Sequence, residues 1–295
     1  MGNAILMAST LHIYSEESSD AGATVTITST KTGSVMTKAL GSNGHLWCKL
    51  VGGDVYTITK GDVSQKVVVG GNEMHDINVG YSTTTWKGIK QIVNAGRAAE
   101  FFTPGDRINV TLTTGEEVVF DVAGVNTYSG CLDFIAHDCL LQTKQHHTSN
   151  TNANGWSASD LKKWLNETFL TYLPDDLQSV ITAKPVITSI GSQSTSLQTT
   201  ECKIWIPTEY ELFGKIAYAA STEAANHAQY PIFTDNNSRI KHLGANGDPT
   251  YWWEASPRVG GSDLFCDVDS SGSAGDAYAS TSRGVAPGFR IQKES

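Results

Sequence analysis

From Thr24 to Gly80 the chain repeats one motif: a short segment with apolar residues at every second position, closed by a glycine-bearing turn. Period two sends successive side chains to opposite faces of an extended strand, so such a segment hides one face and wets the other. Thr24-Val25-Thr26-Ile27-Thr28 alternates in this way, and Leu46, Cys48 and Leu50 do so across His45, Trp47 and Lys49. Lys31-Thr32-Gly33, Gly41-Ser42-Asn43-Gly44, Gly52-Gly53-Asp54, Lys60-Gly61-Asp62 and Gly70-Gly71-Asn72 supply residues that accept a positive φ or close an Asx turn. Strands are therefore expected near 24–29, 34–40, 45–51, 54–60, 65–69 and 75–80, with Ile5 to Tyr14 as one more, in a small β-sandwich.

After Ser82-Thr83-Thr84-Thr85, which reads as a linker, the texture from Trp86 onward mixes helix and strand signals. Thr103-Pro104-Gly105-Asp106 is a turn, Arg107 to Leu112 a strand, and Thr113-Thr114-Gly115-Glu116 a hairpin turn into Val118 to Val122. A polar stretch, Lys144 to Gly155, precedes Ser157-Ala158-Ser159-Asp160, which has the form of a capping box. Leu161, Trp164, Leu165, Thr168, Phe169 and Tyr172 then recur at helical spacing until Pro174. A second capping box, Thr208-Glu209-Tyr210-Glu211, follows a strand over Lys203 to Ile206, and Ser221 to His227 reads as a third helix. The expected fold is α+β with two domains, 1–81 all-β and 86–295 mixed.

Composition narrows the partners. A formal net charge of -9 repels phosphate backbones, and no Lys/Arg stripe interrupts it, so nucleic acid is not an expected partner. No apolar run reaches the ~20 residues of a membrane-spanning helix. Met1 to Met7 carries no basic leader, and Met1-Gly2 lacks the Ser/Thr of a myristoylation site, so the chain is expected to stay where it is made. Five cysteines without a C-x-x-C spacing argue against a disulfide framework and a structural zinc site.

Two resemblances add to this reading. Thr32-Gly33, Gly44-His45-Leu46-Trp47 and Gly52-Gly53-Asp54-Val55-Tyr56-Thr57-Ile58 resemble the immunoglobulin-like, prealbumin-type modules that act as spacers in bacterial surface and phage tail proteins. Trp156-x2-Ser159-x-Leu161-x2-Trp164-Leu165-Asn166-x2-Phe169 and Ile206-Pro207-Thr208-x2-Glu211-x-Phe213-Gly214 resemble a bacterial and phage domain similar to the C-type lectin fold. That pattern continues through Tyr251-Trp252-Trp253-x2-Ser256-Pro257, Phe265-x2-Val268-x3-Gly272 and Gly284-Val285-x-Pro287-x-Phe289-x-Ile291. The resemblance implies a compact scaffold whose late loops build a ligand surface, an arrangement in which loops vary without unfolding the domain.

The chain departs from those relatives after Trp252-Trp253, where they carry Leu-Arg-Ser-Pro and this sequence has Glu254-Ala255-Ser256-Pro257. Some C-type-lectin-like proteins have their loops rewritten by diversity-generating retroelements that mutate adenines. An Asn codon mutated at its adenines never yields Glu, Lys, Gln, Met or Trp, and Ala255 to Ile291 contains none of these five. A loop rich in Gly and Ser is low in long side chains on any account, so both readings stand. The retroelement reading requires a near-copy template repeat beside a reverse transcriptase gene.

Several residue groups have a catalytic or metal-binding look. Asp267-x-Asp269-x-Ser271-Gly272 has the first half of a calcium loop, but the position of its bidentate Glu holds Tyr278, so a solvated turn is the preferred reading and an irregular site with Asp276 the alternative. The sugar-coordinating Glu-Pro-Asn, Gln-Pro-Asp and Trp-Asn-Asp motifs are missing, and calcium-dependent sugar binding is not expected. Cys131, His137, Asp138, Cys139, His146 and His147 fit no zinc spacing and read as buried thiols and loop histidines. Formylglycine-generating sulfatase activators share a related fold but use paired cysteines, whereas Cys202 and Cys266 lie far apart in sequence. No nucleophile elbow, His-Glu-x-x-His or phosphate-cradling loop is found, and Glu209 and Glu211 read as cap and solvated face, with Glu254 a third carboxylate. Trp156, Trp164 and Trp252 read as core; Tyr251 and Trp253 share the opposite strand face, with the exposed side left open.

These lines converge on a non-enzymatic phage virion protein without cofactor or resident metal, a tail or tail-fibre adhesin. Its expected partners are a host cell-surface protein or glycan and, through the N-terminal domain, other virion proteins, with a homotrimer expected from the tail context. The expected ligand-binding residues are Tyr251, Trp253, Glu254, Arg258, Asp263, Asp267, Asp269, Asp276, Tyr278 and Arg283, because aromatic and Arg anchors carry most interface energy and Asp adapts hydrogen bonds around them. The alternatives are a structural decoration or baseplate component and an enzyme of the sulfatase-activator type.

Overall fold

The computed structural model describes residues 8–15, 20–61 and 63–294; the part of the expected first strand before Ala8 lies outside them. The chain divides into two compact units, 1–92 and 93–295. Helix α1 (Trp86–Asn94) spans the division.

In the first unit the alternating segments become β1 (Ala8–Tyr14), β2 (Thr24–Ser29), β3 (Val35–Ala39), β4 (His45–Val51), β5 (Asp54–Lys60), β6 (Val63–Val69) and β7 (Met74–Asn78). They form two sheets, of order β4-β1-β7 and β3-β2-β5-β6. β1 runs antiparallel to β4 and parallel to β7. Leu11 and Ile13 of one sheet and Val25, Ile27 and Ile58 of the other meet in a single cluster, each at most 2% exposed. Burial of a side chain of this size contributes about 1.5–3 kcal/mol, which explains why the period-two pattern decides the register. Gly44 holds φ +76°, and a Cβ there would lie 2.5 Å from the Ser15 carbonyl oxygen, so only glycine lets this turn close on the end of β1.

The second unit is built on a five-stranded antiparallel sheet of order β14-β21-β10-β9-β8, formed by β8 (Arg107–Thr111), β9 (Glu117–Val125), β10 (Cys131–Ala136), β14 (Ile204–Trp205) and β21 (Gly288–Gln292). β10 is buried along its whole length because it lies between β9 and β21. Asp133 and Arg290 face each other across that pairing in a two-pronged buried bond, Nε to Oδ1 at 2.7 Å and Nη2 to Oδ2 at 3.0 Å. Short pairs join β11 (Lys144–Gln145) to β20 (Ser282–Arg283), β12 (Lys184–Ser189) to β13 (Leu197–Cys202), and β15 (Lys241–His242) to β16 (Pro249–Thr250). A separate three-stranded sheet holds β17 (Trp252–Pro257), β18 (Leu264–Val268) and β19 (Ala274–Tyr278). This unit is therefore mixed α+β, as the sequence implies.

The helices depart from expectation in instructive places. α2 (Ala98–Phe101) is a single short turn. α3 (Gly155–Ala158) contains Ser157, and the cap of α4 (Asp160–Glu167) is Ser159, whose hydroxyl accepts the Lys162 N–H at 3.1 Å. Ser159 is extended, at φ -63° and ψ 132°, and such a residue frees its side chain to reach the next turn; this corrects the expected Ser157 cap. Leu161, Leu165 and Phe169 fill the core as their spacing requires. Pro174 also starts α5 (Asp175–Val180), which the sequence reading did not anticipate. α6 (Glu209–Phe213) carries the expected reciprocal box, Thr208 with Glu211, and Ser221–Asn226 forms a 3-10 helix.

Candidate functional site

β18 lies between β17 and β19, and the register sets Cys266 opposite Asp276 and Asp267 opposite Gly275. Neighbours along a strand point to opposite faces, so Asp267 and Asp276, expected on one surface, are separated by the sheet. On one face Arg283 Nε donates to Asp267 Oδ2 at 3.0 Å, and the Arg283 guanidinium lies 4.5 Å from the centre of the 42%-exposed Tyr251 ring. On the other, Arg258 Nε lies 3.3 Å from Asp276 Oδ2 and its guanidinium 5.8 Å from the Tyr218 ring. Tyr278, 56% exposed, ends β19, and the Asp263 carboxylate accepts from Asn150 Nδ2 at 3.3 Å.

Three of the ten expected residues do not reach the surface. Trp253 and Glu254 are fully buried because β17 is covered on both faces rather than on one, and Asp267 is nearly so because β18, between β17 and β19, is buried from Phe265 to Val268. Trp253 donates its Nε1–H to the Lys144 carbonyl at 2.8 Å and meets the His146 ring edge-on at 5.3 Å. His146 is itself fully buried, stacked 3.4 Å from Phe265, and burial pushes its pKa down to about 3, so it is a neutral core residue and not a loop histidine. Burial also pushes the Asp267 carboxyl up to about 6 against the pull of Arg283.

Beneath the sheet lie buried carboxylates. Glu209 and Glu211 are both fully buried, which corrects the solvated-face expectation. Glu209 accepts from the backbone N–H groups of Ala217, Tyr218 and Ala219 at 2.8–3.1 Å and so pins the loop after α6. Glu223 accepts from Ser189 N–H and Ser256 Oγ–H, and burial pushes its carboxyl up to about 7. Among the described residues Glu254 has no hydrogen-bond partner for either oxygen. Burial, and then the Glu209, Asp267 and Glu223 carboxylates, hold its carboxyl well above the ordinary value, with Arg239 opposing. Glu211 differs: burial alone would raise it, but Lys184 Nζ at 2.5 Å and His227 outweigh burial and hold it well below.

The β18–β19 turn completes the site. Asp269 Oδ1 accepts from Ser271 N–H, Ser271 Oγ–H and Ser273 N–H at 2.7–2.9 Å, while Asp267 turns to Arg283. The oxygens of the calcium-like motif thus serve an Asx turn and an ion pair. Gly272 at φ +80° sits so close to the 234–240 loop that a Cβ would fall 1.8 Å from the Asn236 carbonyl oxygen. Arg239 Nε donates to the Gly272 carbonyl at 3.0 Å, and Asn236 Nδ2 to Ser273 Oγ at 2.9 Å. Between these pinned loops opens a cleft of about 510 Å³ lined in part by Phe213, Lys215, Tyr218, Asn236, Arg239 and Ser273.

Of these lining residues none was singled out as a ligand contact, since they come from three separate loops with no shared motif. A cleft of about 540 Å³ lies between the β8–β9 turn and residues 243–247. Its carboxylates are engaged: Glu116 accepts from Leu141 N–H, Glu117 from Thr111 Oγ–H and Asp138 from His242 N–H. It therefore reads as a groove between braced loops. Cys131 and Cys139 are buried, His137 pairs with Asp121 at 2.7 Å and His147 with Asp160 at 3.4 Å. Among the described residues no three His, Cys, Asp or Glu side chains gather as metal ligands, and no helix is long and apolar enough to cross a membrane.

No curated protein and no solved structure matches the chain. Residues 133–293, more than half of the chain and including every strand from β11 to β21, match a family described only as a domain of unknown function, and the chain belongs to that family, DUF6273.

Proposed function

We propose that the protein is a phage receptor-binding adhesin of the tail or tail fibre, in which an immunoglobulin-like first unit spaces or attaches and a C-type-lectin-like second unit recognises a host cell-surface ligand. One observation carries this reading. Exposed Tyr278 and the Arg258–Asp276–Tyr218 group stand on loops and an edge strand whose foundation, Trp252 to Pro257, is entirely buried. A rigid floor under adaptable aromatic and charged side chains is the arrangement that favours recognition, since little entropy is lost when a partner docks. Single sites can be weak, because many copies on a particle raise avidity by about two to four orders of magnitude.

The test is saturable binding of the labelled full chain to intact cells of candidate hosts, beside a Tyr278→Ala, Arg258→Ala variant with an unchanged unfolding midpoint. Binding lost in the variant supports the adhesin. Labelling of phage particles with no labelling of any permissive strain refutes it and leaves a structural virion component. Trp253 and Glu254, as core residues, are unsuitable for this test.

A further inference from the structure

We propose that the 510 Å³ cleft binds an anionic group carried on a polyhydroxylated ligand, an acidic saccharide or a polyol phosphate, with Arg239 and Lys215 meeting the anion and Tyr218 and Phe213 the ligand's apolar face. This deepens the adhesin reading and rests on it for the claim that the ligand sits on a cell.

Charge is the first argument. The chain carries a net charge of -9, yet the cleft lining holds two cations and no carboxylate. Such a local reversal concentrates anions against the repulsion of the rest of the surface. Arg239 is the second. It is only 6% exposed, and it donates to the Gly272 and Leu212 carbonyl oxygens and the Asn236 amide oxygen, while the Asp235 and Glu254 carboxylates act on it only through space. A guanidinium has five N–H donors, so three bonds leave two unused while fixing the fork in place. The Phe213 ring, 4.3 Å from the guanidinium, supports it from one side. A positioned cation whose desolvation is already incurred, with donors to spare, binds an arriving carboxylate or phosphate without reorganising.

The rest of the lining suits hydroxyl groups. Gln229 Nε2 donates to the Leu212 and Phe233 carbonyls and Asn236 bonds both Arg239 and Ser273, so these amides brace the cleft, while the Thr234 and Ser273 hydroxyls line it with groups that both donate and accept, as sugar and polyol hydroxyls do. Tyr218 adds an amphipathic ring, held by the Glu209 carboxylate through its backbone N–H at 3.0 and 3.1 Å. No calcium ion is needed, which agrees with the missing calcium-lectin motifs.

The experiment titrates the full chain by calorimetry with trigalacturonate, with sn-glycerol 3-phosphate and with neutral maltotriose. Binding of either acidic probe, weakened by added NaCl, with maltotriose at least about tenfold weaker, is the expected result, and the stronger acidic probe tells carboxylate from phosphate. Lys215→Glu, at an exposed position, should lower the acidic-probe affinity at least about tenfold with no change in unfolding midpoint; Arg239→Gln is the second variant, read only if folded. Absence of binding by both acidic probes, equal binding of maltotriose, or unchanged affinity in Lys215→Glu overturns the proposal. If acidic probes bind and no cell does, the cleft stands and the adhesin reading falls; if cells bind and the acidic probes do not, the reverse holds.

Discussion

Replacing Glu254 by Gln tests the account of the buried carboxylates. Glu254 is fully buried, neither oxygen has a hydrogen-bond partner among the described residues, and Glu209, Glu223 and Asp267 act on it with like charge while Arg239 only partly offsets them. Its carboxyl is therefore held well above the ordinary 4.5, so the folded protein keeps a proton that the unfolded chain releases. A raised carboxyl makes the folded state bind more protons than the unfolded one. Its contribution is then full below the ordinary value and is lost as pH rises toward the folded value. The slope is about 1.4 kcal/mol per pH unit between the ordinary and the folded value. Gln keeps the shape and carries no proton to lose. Near pH 4.5 the variant should match the native protein or be slightly less stable, and it should gain on the native protein by about 1.4 kcal/mol per unit as pH rises. Urea unfolding across that range, followed by fluorescence of Trp156, Trp205, Trp252 and Trp253, all buried in the second unit, reads the difference. A stability difference that does not change with pH would refute the neutral-acid account. A variant that loses ground as pH rises would mean that Glu254 is ionised in the fold and holds a cation.

Two further perturbations test other parts of the structure. Lys184→Met removes the cation that lies 2.5 Å from Glu211 and 3.7 Å from the Trp205 ring centre, and breaking this buried pair should cost about 3–5 kcal/mol in a denaturant titration at neutral pH. Adding Glu211→Leu should recover part of it, and a double variant no more stable than Lys184→Met would argue against the pair as the cause. Gly272→Ala puts a Cβ 1.8 Å from the Asn236 carbonyl oxygen at a positive φ, so the β18–β19 turn and the 234–240 loop must part. The expected outcome is faster amide exchange at Ser271, Ser273 and Asn236, with the five-stranded sheet still protected; unchanged exchange would sink the pinning argument.

The first unit was legible because each of its signals is local. Strand period and glycine turns lie within a few residues, and β2, β4 and β5 begin and end where the alternation places them. The capping box of α6 was legible for the same reason, since Thr208 and Glu211 bond across one turn. The cap expected at Ser157 falls at Ser159 instead, because both serines can cap and only the break between α3 and α4 chooses between them.

At the site the sequence determined which kinds of residue the late segment holds, and the tertiary structure decided which of them meet solvent. Period two predicts an exposed face only if one side of the strand stays uncovered, and β17 is covered on both, which buried Trp253 and Glu254 alike. Adjacent parity then parted Asp267 from Asp276. The cleft was invisible because Lys215, Arg239 and Ser273 share no motif, and only a buried Glu209 carboxylate and a glycine that admits no Cβ bring their loops together. Local chemistry is written along the chain, whereas burial and proximity belong to the packed whole.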